Sequence, residues 1–271
     1  MGSTPPQVIA HRGYAADNPE NTVAAMQVAA ADDRTDAVEI DARLTADDRV
    51  IVFHDDDLSR LTDAPPAVSN TPIWELSYDE ISGHTVGDSD EPIPLLTELL
   101  AAIPASISVN LELKHPGCEG LQFGAVAGDA GAAAREAAAD RWQPFVERAL
   151  DVATATNHDL LITSFYEGAL AATCRVDPAV AVAPLVVDDV ETAFALADRY
   201  DAAAIHPPLD AVLDGSGVTT APGERLLERA HDADRYVNVW TVTTRQEATT
   251  LAAAGVDGLI VDTPDVVSEP S

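Results

Sequence analysis

Residues 8–22 read VIAHRGYAADNPENT, and the fold is decided by what this stretch requires of the rest of the chain. Val8, Ile9 and Ala10 form a short apolar run of the kind that builds a buried strand. The run delivers His11 and Arg12 into a turn at Gly13. Asn18-Pro19 then predicts the opening of a helix over 20–31: Pro19 suits a first turn, where its missing N–H is unpaired anyway, and Asn18 is a good cap. A titratable imidazole and a permanent cation therefore sit where a strand ends, the edge at which α/β proteins bind ligands. One His-Arg pair at one strand end is surface decoration unless other strands bring partners to the same edge.

The next strand does so. Residues 37–42, AVEIDA, place Glu39 and Asp41 two apart, on one face of a strand. Two acids side by side on an apolar strand repel and are costly to desolvate, and a cation between them removes both problems. A second β run, VIVFHD over 50–55, follows after too few residues for a crossover helix, so the pair reads as an antiparallel hairpin. Folding it at 46–48 brings His54 beside Asp41. Residues 56–104 read as an inserted cap containing Pro65-Pro66, a capping box from Ser77 to Glu80, and a helix near 95–102. Trp74 and His84 within it are expected in packing or surface roles.

The strand over 107–113, ISVNLEL, ends on Glu112, with Lys114 two residues on and His115 after it. The Gly- and Ala-rich stretch 116–141 reads as a mobile loop or frayed helix, with a helix resuming near Pro144. Beyond it, strands at 160–163, 180–186, 202–205, 236–240 and 258–261 alternate with helices at 167–174, 190–197, 222–231 and 244–254. Leaving out the hairpin return, eight strands alternate with helices, which predicts one (β/α)8 barrel spanning residues 1–271.

Composition narrows the class. The 271 residues carry a net charge of −31, from 30 Asp and 16 Glu against 14 Arg and the single lysine Lys114, while apolar residues remain at 46%. That is too much apolar content for a disordered polyanion. At about 1 M salt the Debye length shrinks to about 3 Å and self-repulsion is screened, so the chain is expected in a high-salt cytoplasm. The same charge argues against nucleic acid and anionic membrane surfaces as partners. No apolar run approaches a membrane span, and no basic-then-apolar leader opens the chain. Cys118 and Cys174 stand in no metal or redox spacing and read as idle thiols.

All barrel strands end at one mouth, so these signals converge: His11 and Arg12, Glu39 and Asp41, Glu112 and Lys114, Ser164-Phe165, His206, Trp240, and His54 through the hairpin. Three carboxylates make a hard-oxygen site suited to one Mg²⁺ or Ca²⁺. Arg12 and Lys114 can hold phosphate oxygens. Two histidines can act as general acid and base on opposite sides of a phosphorus atom. His206 is left open as a cleft residue, His115 reads as outlying, and His158 and His231 as surface residues.

HRG with PENT, then VEIDARLTADDRVIVFHDDDLSR, LELK, NVWTV and GVDGLIVDTPD resemble, in order over about 8–265, the glycerophosphodiester phosphodiesterase family. The resemblance implies a (β/α)8 barrel with a small insertion after the FHD segment. It implies His11 and His54 as the acid–base pair, and Glu39, Asp41 and Glu112 as ligands of a divalent cation. It further implies Arg12 and Lys114 on phosphate, and Phe165 and Trp240 lining the substrate cleft. The implied reaction is hydrolysis of a small glycerophosphodiester to glycerol phosphate and an alcohol, directly or through a cyclic phosphate. Thr243 departs from the Asn usual after WTV, and the stretch near 117–140 is longer than the family pattern. A lysophospholipase D or sphingomyelinase D-like activity is the alternative and requires an apolar groove for a lipid chain. A non-catalytic phosphate-binding barrel predicts a missing histidine or ligand, and none is missing.

Overall fold

A computed structural model describes residues 5–126, 131–186 and 189–267. Strands β1 (Gln7–His11) and β2 (Ala37–Leu44) are joined through helix α1 (Val23–Ala31), and β2 pairs antiparallel with β3 (Val50–Val52). The insertion holds the short helices α2 (Pro66–Ser69) and α3 (Tyr78–Ile81), after which α4 (Leu96–Ala102) leads into β4 (Ser108–Leu113). Then follow α5 (Gly131–Ala153), β5 (Leu160–Ser164), α6 (Glu167–Val176), β6 (Ala181–Pro184), α7 (Val190–Tyr200) and β7 (Ala204–Ile205). The order ends with α8 (Ala221–Asp232), β8 (Tyr236–Val242), α9 (Arg245–Ala254) and β9 (Gly258–Val261). The sheet runs β6-β5-β4-β2-β1-β9-β8-β7, parallel throughout apart from β3. The ring meets at β6 and β7, where the Ala203 and His206 N–H groups donate to the Val182 and Pro184 carbonyls and Val186 N–H donates to His206. This is the (β/α)8 barrel that the alternation of strands and helices predicts.

Period-2 alternation sorts the strand residues into two environments. Val8, Ala10, Val38, Ile40, Ala42, Val109, Leu111 and Leu113 belong to the main core between sheet and helices. Each fully buried Val, Leu or Ile side chain there stabilises the fold by about 1.5–3 kcal/mol. The alternate positions point into the barrel. Ile9, Ala37 and Ile260 make a small apolar plug with Trp240 packed on it. Further along the same faces come His11, Glu39, Asp41, Asn110 and Glu112. The outer core thus carries the stability that lets the barrel interior be polar.

Four local expectations are revised. Helix α1 opens at Val23, capped by the Thr22 hydroxyl accepting from Ala25 N–H, and not at Pro19. Arg12, Tyr14 and Asn21 have φ of 51°, 66° and 60°, so residues 12–21 form a compact loop; the Asn18 amide donates to the Gly13 and Tyr14 carbonyls instead of capping a helix. The hairpin register sets Ala42 opposite Val52, so Phe53, whose N–H donates to the Asp41 carbonyl, is the neighbour of Asp41. Helix α5 begins at Gly131 and runs through Pro144; its missing N–H is outweighed by burial of Trp142, Phe145, Val146, Ala149 and Leu150. Residues 127–130 of the Gly/Ala-rich stretch lie outside the described residues. Finally, α4 packs Leu96, Leu99 and Leu100 into the main core. The preceding segment packs around its own core of Ile51, Phe53, Leu58, Ile73, Leu76, Ile81, Val86, Ile93 and Leu95.

Candidate active site

The register of β2 and β4 places Asp41 opposite Glu112, and His11 lies opposite Glu39 on β1. Glu39, Asp41 and Glu112 are buried, and one oxygen of each lies within 4.8 Å of the others. Glu39 Oε2 has no hydrogen-bond partner, and Asp41 Oδ1 has only the charge of Lys114 Nζ at 3.0 Å, without hydrogen-bond alignment. Burial, then the charge of Asp41, pushes the Glu39 carboxyl up to about 8. Burial also raises Glu112, against the pull of Lys114. Asp41 sits below the usual carboxylate range: burial opposes this, but Lys114 and Arg12 prevail. Three converging carboxylates, two of them with an unpaired buried oxygen, fit a hard divalent cation, which would relieve both the repulsion and the desolvation.

Two cations border this cluster. Lys114 Nζ lies 2.6 Å from Glu112 Oε1, and Arg12 Nε lies 3.1 Å from Asp41 Oδ2. Lys114 titrates above its ordinary value, because Asp41 and Glu112 outweigh the effect of burial. Asn21, from the PENT segment, donates its amide to Asp41 Oδ2 at 2.7 Å, which explains why the loop holds it in the left-handed region.

Each histidine is paired with a carboxylate through Nδ1. His11 Nδ1 lies 2.6 Å from Asp262 Oδ1, and His54 Nδ1 lies 2.6 Å from Asp55 Oδ1. Both imidazoles are thereby oriented, with Nε2 left for other chemistry; that of His11 lies 3.7 Å from Glu39 Oε2. Burial draws His11 down, but Asp262 and Glu39 outweigh it and the group titrates above its ordinary value. Burial also lowers His54, and Lys114 and Arg12 keep it low against the pull of Asp41. His54 reaches the site although Phe53, not His54, sits opposite Asp41. The chain has left the strand after Val52, so strand alternation no longer decides where His54 points.

A set of arginines holds this frame. Arg43 Nε and Nη2 both donate to the His54 carbonyl, at 2.9 and 2.5 Å, and Nη2 pairs with Asp56 at 2.8 Å. Arg60, from the insertion, binds Asp55 through Nε at 2.5 Å and Glu20 through Nη2 at 2.8 Å. Glu20 in turn accepts from Arg12 at 3.0 Å. A continuous chain of charges therefore runs from His54 through the insertion back to Arg12.

His11, Arg12, Glu39, His54, Glu112, Lys114, Phe165 and Trp240 line one cavity of about 140 Å³, with Thr163, Leu185, His206, Thr241 and Ile260 completing its wall. The Phe165 and Trp240 rings meet edge to face at 5.7 Å, and the Trp240 indole N–H donates to the His206 carbonyl at 2.8 Å. A wider cleft adjoins it, bounded by His54, Lys114, His115, Phe123, Phe165 and Tyr166. Its wall is aromatic, with Phe123 stacked on Phe165 at 5.3 Å and Trp74 and Tyr166 flanking His115 at 5.4 and 5.8 Å. Trp74 so docks the insertion on the barrel, and a Cβ at Gly117 would lie 2.1 Å from its ring.

Asp55, Asp262, Glu20, Asn21, Arg43 and Arg60 are site residues that the sequence reading did not select. Asp262 follows a barrel strand, the signal that selected the other carboxylates, and Asp55 adjoins His54. Arg60 ends the HDDDLSR stretch that carries the family resemblance, but no spacing gives it a role, because only the folding of the insertion brings it to Asp55. His158 is half-buried, not superficial, with its ring nitrogens 3.1 and 3.3 Å from the Ile107 and Leu100 carbonyls. His231 is exposed and pairs with Asp257, His84 pairs with Asp63, and Thr243 hydrogen-bonds Glu247 away from the site.

A sequence profile of the glycerophosphoryl diester phosphodiesterase family matches residues 11–266. A glycerophosphodiester phosphodiesterase of Bacillus altitudinis is 26% identical over 267 residues, covering 96% of this chain and 95% of its own. The human lysophospholipase D is 35% identical over 118 residues, 39% of this chain and 35% of that protein. Among solved structures, an Oleispira antarctica phosphodiesterase in complex with the product sn-glycerol-3-phosphate superposes with a TM-score of 0.77 at 26% identity. It covers 96% of this chain and 94% of that one.

Proposed function

Since the chain belongs to the glycerophosphoryl diester phosphodiesterase family and is an enzyme of that activity, we propose that it works by acid–base chemistry between His11 and His54 beside a divalent cation. The observation that carries this reading is the arrangement itself: two carboxylate-oriented imidazoles, two cations and a buried acidic triad around one cavity. Glu39, Asp41 and Glu112 would hold the ion, Mg²⁺ or Ca²⁺, whose contribution is charge stabilisation at phosphate oxygens.

Arg12 and Lys114 bind the phosphodiester and offset the charge that grows on its oxygens in the transition state. One imidazole takes the proton from the attacking oxygen, either water or the neighbouring glycerol hydroxyl. As the new P–O bond forms and the bond to the alcohol breaks, the other imidazole protonates the departing oxygen. Asp55 and Asp262 fix the tautomer that this exchange requires. If the glycerol hydroxyl attacks, the cyclic phosphate is opened by water with the two histidines exchanging roles. Phe165 and Trp240 shield the reacting group.

The test is release of glycerol phosphate from a panel of glycerophosphodiesters in molar KCl with Mg²⁺ or Ca²⁺. Turnover is expected to disappear with EDTA and in His54→Ala. Activity that survives either treatment in folded protein overturns the mechanism. The lysophospholipase D reading draws on the human relative and on Phe123, 56% exposed beside the cleft. Turnover of lysophospholipid with none of water-soluble diesters selects it instead. No helix among the described residues is long and apolar enough to cross a membrane.

A further inference from the structure

We propose that His206 and Thr163 form a subsite that reads the terminal hydroxyl of the glycerol moiety, which makes His206 a specificity-determining residue. This rests on the hydrolytic reading above. In the ring of strands, β7 is four steps from β2 in either direction, so His206, directly after β7, faces the acidic triad across the barrel. Trp240 on β8 and Phe165 after β5 stand between them. A diester whose phosphate is held by Arg12 and Lys114 therefore has its small three-carbon arm free to extend toward His206. Leu185, Ile260, Thr163, His206 and Thr241 line the same cavity.

Two of these polar groups, His206 and Thr163, are suited to a hydroxyl. His206 and Thr163 are each 1% exposed, yet both line the cavity. The Asn238 amide lies 2.9 Å from His206 Nε2. Donation from that amide makes Nε2 an acceptor, which leaves the imidazole proton on Nδ1. Asn238 is itself tightly seated, since a Cβ at Gly258 would lie 2.4 Å from its Oδ1. His206 is kept neutral, because burial pushes its pKa down to about 3. Among the described residues, neither His206 Nδ1 nor Thr163 Oγ1 has a hydrogen-bond partner, and neither is an enclosed orphan atom. Nearly buried donors and acceptors are normally paired, so a free pair on a cavity wall is a site awaiting a ligand. A hydroxyl entering the cavity can accept from His206 Nδ1–H, and the Thr163 hydroxyl on the same lining offers it an acceptor. A methyl group in its place leaves the His206 donor unpaired.

The experiment compares kcat/KM for glycerophosphocholine with that for its deoxy counterpart, in which the terminal CH2OH is CH3. The neighbouring hydroxyl and the leaving group are the same in both. The wild type is expected to prefer the glycerol substrate by about 10- to 100-fold. In His206→Leu the preference should collapse toward unity, mostly through loss on the glycerol substrate, and His206→Gln should restore part of it. If His206→Leu does not fold, Asn238→Ala and Thr163→Val carry the test, and the ratio should fall in each. A wild type that does not discriminate overturns the proposal, as does a ratio unchanged in the folded variants. Wild-type, metal-loaded enzyme that cleaves neither substrate instead overturns the hydrolytic reading on which the proposal stands.

Discussion

Glu39 is the residue at which burial and function conflict most openly. Its carboxyl is buried beside Asp41 and Glu112, and one oxygen has no partner. In protein stripped of metal the buried carboxyl is held neutral only by taking up a proton, which costs stability above the ordinary carboxylate range, so Glu39→Gln should raise the thermal midpoint in EDTA at neutral pH. The same variant should lose turnover and most of the rise in midpoint that Mg²⁺ or Ca²⁺ gives the wild type. A variant less stable than wild type in EDTA would mean that the triad is held by something other than a cation. His206 makes a second prediction. Its folded pKa of about 3 lies below the unfolded value of 6.5, so the unfolded chain binds more protons between these pH values. The stability is complete above pH 6.5 and declines as pH falls toward 3, by at most about 1.4 kcal/mol per unit. Urea midpoints across this range at fixed molar KCl should fall more steeply for wild type than for His206→Gln. Parallel curves would show that His206 is not buried neutral.

At the scale of elements, the insertion does more than cover the mouth. Through Arg60 it grips Asp55, the partner of His54, and Glu20, the partner of Arg12. Arg60 is 47% exposed, and ion pairs of that kind contribute only about 0–1 kcal/mol to stability. Arg60→Ala should therefore leave the thermal midpoint within a few degrees of wild type. It should lower kcat by about 10- to 100-fold, because small misplacements of catalytic groups are costly. A fall in kcat no larger than about twofold would show that the barrel alone positions His54. Element boundaries follow the same logic of competing demands. Pro19 and Asn18 look like a helix start, but the chain needs Asn21 in the left-handed region to reach Asp41, and the helix waits for Thr22. Pro144 looks like an interruption, but the apolar stripe of α5 holds the helix through it.

The whole molecule carries a charge of −31 around a barrel whose core is ordinary in its aliphatic residues. Self-repulsion on that scale is long-ranged at low ionic strength and nearly absent at molar salt. The thermal midpoint should therefore rise with KCl between 0.1 and 2 M, and KCl and NaCl should act alike if screening is the cause. A midpoint independent of salt would place the acidic surface outside the stability question. The same field opposes an anionic substrate, and in the proposed mechanism Arg12 and Lys114, with a cation among the acids, would reverse it locally.

Much of this was legible in the chain itself. Alternation of short apolar runs with helical periodicity determined the barrel, because period 2 and period 3.6 are set by backbone geometry. The barrel in turn assigns one mouth to all strand ends, so His11, Arg12, Glu39, Asp41, Glu112, Lys114 and Trp240 could be grouped from their positions alone. The grouping of His54 depended on a hairpin register that was off by one residue; His54 lies at the site because the chain leaves the strand at Phe53. What only the tertiary structure decided is which groups complete one another across long separations: Asp262 with His11, Arg60 with Asp55 and Glu20, Asn238 with His206. Such pairs are specified by side-chain reach and packing, not by spacing along the chain, and the energies that select them exist only once the ring has closed.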